Sequence, residues 1–420
     1  MRTVMAVLLL LGGTACAAQP PARADVVRVP QDASTIARAV TQVNPGGLVL
    51  ISPGLYRESV RVAVPGVTLR GLDRNTVVLD GEGTRPDGVV VTAPGVSVEN
   101  LTVTRYAFNG VLVTGMTDSS GAGLGRGSTG YKPLDPARFP LLDGFAVRYV
   151  TATDNGLYGI YAFDARNGVI ERNHASGGSD SGIYLGQCKP CDTVIRDNVA
   201  EHNAVGLENA NASKGVYVLG NRLVANRVGL SITSDYQEAF IPQQESVVAG
   251  NLIADNASAD SPAHAEGAFG VGIGIGGGQD NLIVRNRIEG NPSVGVIVSS
   301  SEDLSPIGNR VTGNAMTRNG TDLAYVPSRR APGRENCFLA NSAHPPARLP
   351  RCPGGTLPHT APRAVRAPAG MSFLEVPPPP AQVSMADPAT APHPRAAGVT
   401  ADWRALAVPG PGLLAEGGRR

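Results

Sequence analysis

Between residues 48 and 326, apolar and polar positions alternate in short runs, among them LVLIS, SVRVAV, VTLRG, TVVLDG, GVVVTA and GVLVTG, separated by Gly, Asn and Asp. A period of two puts every second side chain on one face and predicts short β-strands joined by tight turns. Two landmarks recur along this stretch. The first is an asparagine at Asn173, Asn198, Asn221, Asn251, Asn286 and Asn309, at intervals of 25, 23, 30, 35 and 23 residues. A second asparagine follows five positions later at Asn203, Asn226, Asn256, Asn291 and Asn314, but after Asn173 that place is Gly178. The other landmark is a glycine before an aliphatic residue: Val111, Ile160, Ile183, Leu207, Leu230, Ile273 and Val296 each follow a glycine. A self-similar unit of about 20–25 residues without helical periodicity predicts a stacked solenoid coil. Aligned on the glycine column, the outward positions read Leu112, Tyr161, Tyr184, Glu208, Ser231, Gly274 and Ile297, with rungs about 4.8 Å apart. The asparagines are expected to stack inside the turns and satisfy backbone groups there.

The rhythm fails in four places. Residues 31–44 carry a helical pattern, with Ile36, Val40 and Val43 on one face and Asp32 as the expected N-cap. This helix is predicted to cap the first rung of a β-helix running over 26–326. Residues 116–145 lack a coil pattern and are expected to project as a loop, and 258–269 form a second excursion. After residue 326 the composition changes, with 18 of the chain's 34 prolines beyond that point. Residues 327–352 are expected to close the last rung, and 353–420 to form a disordered Pro/Ala-rich tail with 377–380 in polyproline II.

A net charge of +1 argues against electrostatic capture of nucleic acid, and a monomer is expected. Arg2, an apolar run over residues 4–11 and small residues around Cys16 read as an export signal over residues 1–24. Gly13-Thr14-Ala15-Cys16 resembles a bacterial lipobox, which implies lipidation of Cys16 and membrane attachment through that anchor alone; cleavage after Ala24 is the competing reading. Export makes the remaining four cysteines an even set in an oxidising compartment. Local pairing, Cys188 with Cys191 and Cys337 with Cys352, is the simplest of three connectivities.

The segment ASTIARAV…PGGLVLISPGLYRESVRV…GVTLRGLDRNTVVLDGEG resembles the opening of pectin-lyase-like right-handed parallel β-helix proteins. DSGIYLGQCKPCDTVIRDNVAEHNAVGLENANAS resembles exported actinobacterial members of the same repeat class. The resemblance implies an all-β, right-handed parallel β-helix and, where such proteins are enzymes, action on polysaccharides along an outward face. YGIYAFD resembles the catalytic strand of mannuronan C5-epimerases, with Asp164 at the family aspartate and Arg166 where that family has histidine. The catalytic candidates are therefore Asp164, Arg166, His174 and Asp180. Substrate-contacting candidates are Tyr158, Tyr161, Tyr184, Gln187 and Glu208, facing an extended polysaccharide. No metal site or cofactor is expected; a calcium site drawing on Asp154, Asp180 and Glu208 has little support, because their columns differ. His174 and His202 sit three places apart relative to their ladder asparagines, about 10 Å along a strand and too far to share an ion. The competing expectation is a non-catalytic cell-surface protein, with the 116–145 loop packed flat over the tyrosines.

Overall fold

The computed structural model describes residues 23–117, 137–349, 351–353, 357–393 and 401–415. The alternation yields three parallel sheets, one of twelve strands and two of ten. Each full coil gives one strand to each sheet: Ala165–Glu171 lies in the twelve-stranded sheet 1, Ser181–Cys188 in sheet 2, and His174–Ser176 in sheet 3. Val111, Ile160, Ile183, Leu207, Leu230, Ile273 and Val296 pair rung on rung in sheet 2 as the glycine column predicts. All seven are fully buried, each contributing roughly 1.5–3 kcal/mol.

The corners are built by asparagine. Asn198 Oδ1 accepts from both the backbone N–H and the Nδ2 of Asn173, each at 3.0 Å. Its own Nδ2 donates to Asn221 Oδ1 and to Ile170 O at 2.9 Å. A neutral amide carries donor and acceptor together, so identical side chains stack without an orphaned group. The residue before each such asparagine takes a left-handed φ, as at Arg172, Asp197, Gly220 and Gly250, turning the chain onto the next face.

The expected ladder is right through Asn286 and wrong at its last member. Asn286 Nδ2 donates to Asn314 Oδ1 at 3.0 Å, whereas Asn309 stands in a third ladder between Asn281 and Asn336. Asn281, Asn286 and Asn291, like Asn309, Asn314 and Asn319, lie five residues apart. A slip of one corner therefore preserves the asparagine spacing, and only the pairing of Ile283 with Val311 and Ile288 with Met316 decides the register.

The cap helix is Ile36–Gln42, shorter than 31–44, and its N-cap is Thr35 rather than Asp32. Thr35 Oγ1 accepts from Arg38 N, while the Glu58 carboxylate takes the amides of Ile36 and Ala37 at 2.9 Å. Asp32 instead accepts from Arg28 N. Ile36, Ala39 and Val40 bury against the first coils. The solenoid starts at strand Ala24–Val29 and ends at Cys337–Leu339, beyond 26–326 at both ends. The projecting loop gives up its last residues to strand Leu142–Arg148, and its residues 118–136 lie outside the described residues, as do residues 1–22 with the export signal and Cys16. Both expected disulfides are closed, which fits an exported chain in an oxidising compartment.

The tail reverses an expectation. Over its described residues it lies along the solenoid instead of being disordered. Arg70 donates to the carbonyls of Pro388, Ala391 and Pro392, Arg227 to those of Pro368 and Ala369, and Arg287 to that of Pro409. Pro-rich backbone offers carbonyls without matching N–H groups, and guanidinium supplies several donors from one side chain. Trp403 and Leu406 add apolar cover over Val194, Leu219, Ala249 and Val284 on the outside of sheet 1. Composition measures what a segment can bury by itself, and here the partner surface belongs to the solenoid.

Candidate functional site

Sheet 2 brings the outward column together in the predicted order, Leu112, Tyr161, Tyr184, Glu208 and Ser231 on successive rungs. Tyr158, at the corner before strand Ile160–Phe163, folds back over this column. Its ring stacks on Tyr161 at 4.4 Å and 16°, and Tyr161 meets Tyr184 edge-on at 4.9 Å. Phe163 extends the cluster, and Met116 packs on it. Stacked and edge-to-face pairs are the favoured aromatic geometries. Tyr158 and Tyr161 keep partial exposure, whereas Tyr184 is only 3% exposed.

Acids surround these rings. The Tyr158 hydroxyl donates to Asp180 Oδ2 at 3.0 Å, the Ser181 hydroxyl to Glu208 Oε2 at 2.6 Å, and the Tyr184 hydroxyl to Glu238 Oε1. Burial, reinforced by the Asp180 charge, raises the half-buried Glu208 carboxyl to about 8. Burial likewise holds Glu238 well above the usual carboxylate range, with the Glu208 charge adding to it. The phenols of Tyr158 and Tyr184 are pushed upward by burial and by these same acids. Glu208 and Glu238 therefore keep protons where exposed carboxyls would not.

Glu238 reaches the site on an insertion between Thr233 and Ser246. Asn211 grips this insertion through Asp235 O at 2.6 Å and Asp235 N at 2.9 Å, and Gln187 Oε1 accepts from Ala239 N at 3.0 Å. Gln187 also faces Asp164, whose carboxyl burial raises to about 6. The second Asp164 oxygen has no hydrogen-bond partner among the described residues. Asp164 is 1% exposed and sits at the corner between strands Ile160–Phe163 and Ala165–Glu171, next to Phe163 of the ring cluster.

Of the sequence candidates, Tyr158, Tyr161, Asp180, Tyr184 and Glu208 converge, with Gln187 and Asp164 beside them. Two lie elsewhere. His174 is buried in sheet 3 with Nε2 3.1 Å from Glu201 Oε1, and Arg166 lies on sheet 1, its Nε donating to Asp143 Oδ1 at 2.9 Å. His174 shares a coil with the site, but seven residues and a corner separate it from the strand that begins at Ser181. Among the described residues no three His, Cys, Asp or Glu side chains gather as metal ligands.

Sequence reasoning missed Glu238 and His264, both carried on insertions where no strand register places a side chain. On the 258–269 excursion, His264 Nδ1 accepts from Glu266 N at 3.1 Å, and burial lowers its imidazole below the ordinary value against the opposing charges of Glu266 and Asp180. A usable signal existed: both insertions interrupt coils that follow the tyrosine rungs.

Residues 87–243 match a family model described as the right-handed beta helix region. No curated protein matches the chain. Solved structures similar to it include the A-module of a mannuronan C-5 epimerase from Azotobacter vinelandii, at 16% identity over 71% of this chain and 90% of that one, with TM-score 0.42. XylC in complex with xylose is similar at 10% identity over 74% and 83%, TM-score 0.47, and a pectate lyase at 14% over 73% and 72%, TM-score 0.38. With three parallel sheets that each take one strand from every full coil, and a family match across the central coils, the chain folds as a right-handed parallel β-helix.

Proposed function

We propose that this exported protein binds an extended, uronate-containing polysaccharide and modifies it by lyase or C5-epimerase chemistry on the Tyr158/Tyr161 face of sheet 2. The observation that carries this reading is the juxtaposition of Asp180 and Glu208 with the stacked tyrosines. The partly exposed rings of Tyr158 and Tyr161 offer apolar faces to a sugar. A carboxyl that keeps its proton near neutrality can donate a hydrogen bond to a uronate carboxylate, which favours loss of the neighbouring C5 proton. Burial favours the neutral form of His264, whose Nδ1 accepts from Glu266 N at 3.1 Å, so His264 takes that proton at Nδ1 once this hydrogen bond yields to substrate. Elimination then breaks the C4–O bond as the leaving oxygen gains a proton, whereas epimerisation returns a proton to the opposite face of C5. Asp164 supports the site through Gln187, which anchors the Glu238 insertion. Attachment to the membrane through lipidated Cys16 belongs to the same proposal.

The burial of Tyr184 under Glu238 favours a second reading, a non-catalytic cell-surface protein in which the aromatic cluster is packing. A uronate-polymer array with a parallel absorbance assay for unsaturated uronate, on wild type and Tyr161→Ala, separates the two. Binding or product lost in the variant supports the first reading. A wild type that neither binds nor turns over any uronate polymer sinks it.

A further inference from the structure

The 258–269 excursion that carries His264 is not held by the solenoid alone. Its base is closed by Ser258 N donating to Asn226 O and Gly270 N to Arg227 O. Its middle is held by Arg227, which is 2% exposed: Nε donates to Ser261 Oγ at 3.1 Å and Nη2 to Ser261 O at 3.4 Å. The same guanidinium donates to Pro368 O at 2.9 Å and Ala369 O at 2.8 Å. The tail then completes the clamp from outside, with Met371 N donating to Ser261 O at 3.1 Å. Gly370 lies so close that a Cβ there would stand 2.3 Å from Ala263 N, the residue next to His264. Further along, Arg363 N donates to Ser293 O, and Ser293 Oγ to Arg363 O.

We propose that Arg227 and tail segment 363–371 are positioning elements that hold the 258–269 excursion, and His264 with it, at the corner leading into sheet 2, on the column that contains Asp180, so that the Pro-rich tail is a working part of the site. The catalytic side of this proposal rests on the site reading given above. Physically, the excursion has little apolar burial of its own, and its placement depends on hydrogen bonds from a buried cation and from a peptide that leaves no room for a side chain at residue 370. Arg227 touches no substrate in this scheme. It acts through Ser261.

The test uses the full chain, with Gly370→Val to wedge the tail off Ala263 and Arg227→Lys to keep the charge while losing the forked donor set. A glutamate-specific protease reports on the exposed Glu266. Freeing the clamp raises the cleavage rate there about tenfold in Gly370→Val, and by less in Arg227→Lys. The imidazole of His264, read by NMR against its neighbours Glu266, Asp180 and Arg227, titrates higher as it regains solvent. Unfolding of the solenoid stays near wild type in both variants. In turnover, kcat falls with KM little changed, and the acidic limb of the pH profile moves upward with the histidine. Glu266 cleavage and His264 titration both at wild-type values, in a Gly370→Val chain whose Met371 methyl resonance has moved, would overturn the proposal. A wild type inactive on every uronate polymer overturns the site reading, while leaving the proteolysis and NMR arms to decide the clamp. An active wild type whose Gly370→Val variant keeps its pH profile overturns only the catalytic side.

Discussion

Two stretches of one solenoid treat polar side chains in opposite ways. At the corners from Asn173 onward, amides are buried and satisfied pairwise from rung to rung. On the outward face of sheet 2, across the strands that begin at Ile160, Ser181 and Val205, carboxyls crowd around the rings, each taking one hydroxyl donor, from Tyr158, Ser181 or Tyr184, and none from a neighbouring acid. An amide stack supplies a donor to each acceptor, so repetition stabilises it. Ionised acids offer acceptors only, and one hydroxyl donor apiece does not offset burial and mutual repulsion, so Glu208 and Glu238 favour their protonated forms. The coil geometry is shared; the chemistry of the repeated group decides whether a rung is scaffold or a strained, titrating cluster.

Breaking the ladder should have the largest effect. Asn221→Ala leaves the Asn198 N–H orphaned in a fully buried corner and takes one hydrogen bond each from the Asn198 side chain, the Ile195 carbonyl and the Asn251 side chain. One unsatisfied buried donor and three weakened partners cost on the order of 3 kcal/mol, measurable by denaturant unfolding. A loss below about 1 kcal/mol would mean that the ladder is satisfied by water and is not the determinant described here.

The opposite substitution at the site should stabilise. Asp164 has a folded carboxyl near 6 against an ordinary 3.8, so the fold favours its protonated form. The stability it brings is complete below the ordinary value and is lost as pH rises through 3.8 to about 6. At neutral pH the ionised, buried carboxylate costs on the order of 3 kcal/mol. Asp164→Asn should recover most of that at pH 7 and nothing at pH 3, so stability measured at the two pH values checks the sign. Glu208 extends the same slope upward, to about 8. Glu208→Gln should flatten stability between pH 5 and 8, and a slope unchanged from wild type would assign the titration to other groups.

These differences also mark what could be read from the chain. The column from Val111 to Val296 was legible because alternation and the preceding glycine fix both face and phase. The corner occupied by Asn309 was not, since a five-residue side period hides a one-corner slip. Tyr161, Tyr184 and Glu208 were found because they sit on strands with a register. His174 lies off the site because sharing a coil says nothing about which of three faces a residue occupies. Glu238 and His264 escaped because insertions carry no phase, and the tail because its hydrogen bonds are donated by distant arginines such as Arg70 and Arg227.

The smallest expected effect tests how the acid face is tuned. Ser181, with no exposed surface, donates its hydroxyl to Glu208, which lowers that carboxyl against the larger upward push of burial and Asp180. Ser181→Ala removes a hydrogen bond that is stronger when its acceptor is charged. The loss should therefore be under about 1 kcal/mol at pH 6 and nearer 1.5 kcal/mol above pH 8, where Glu208 ionises. In the Glu208→Gln background this pH dependence should vanish, leaving a constant difference in a double-mutant cycle. If the cycle shows the same pH dependence with glutamine present, the Ser181 hydroxyl is not coupled to Glu208. The acid face would then, like the asparagine corners, be a set of locally satisfied groups.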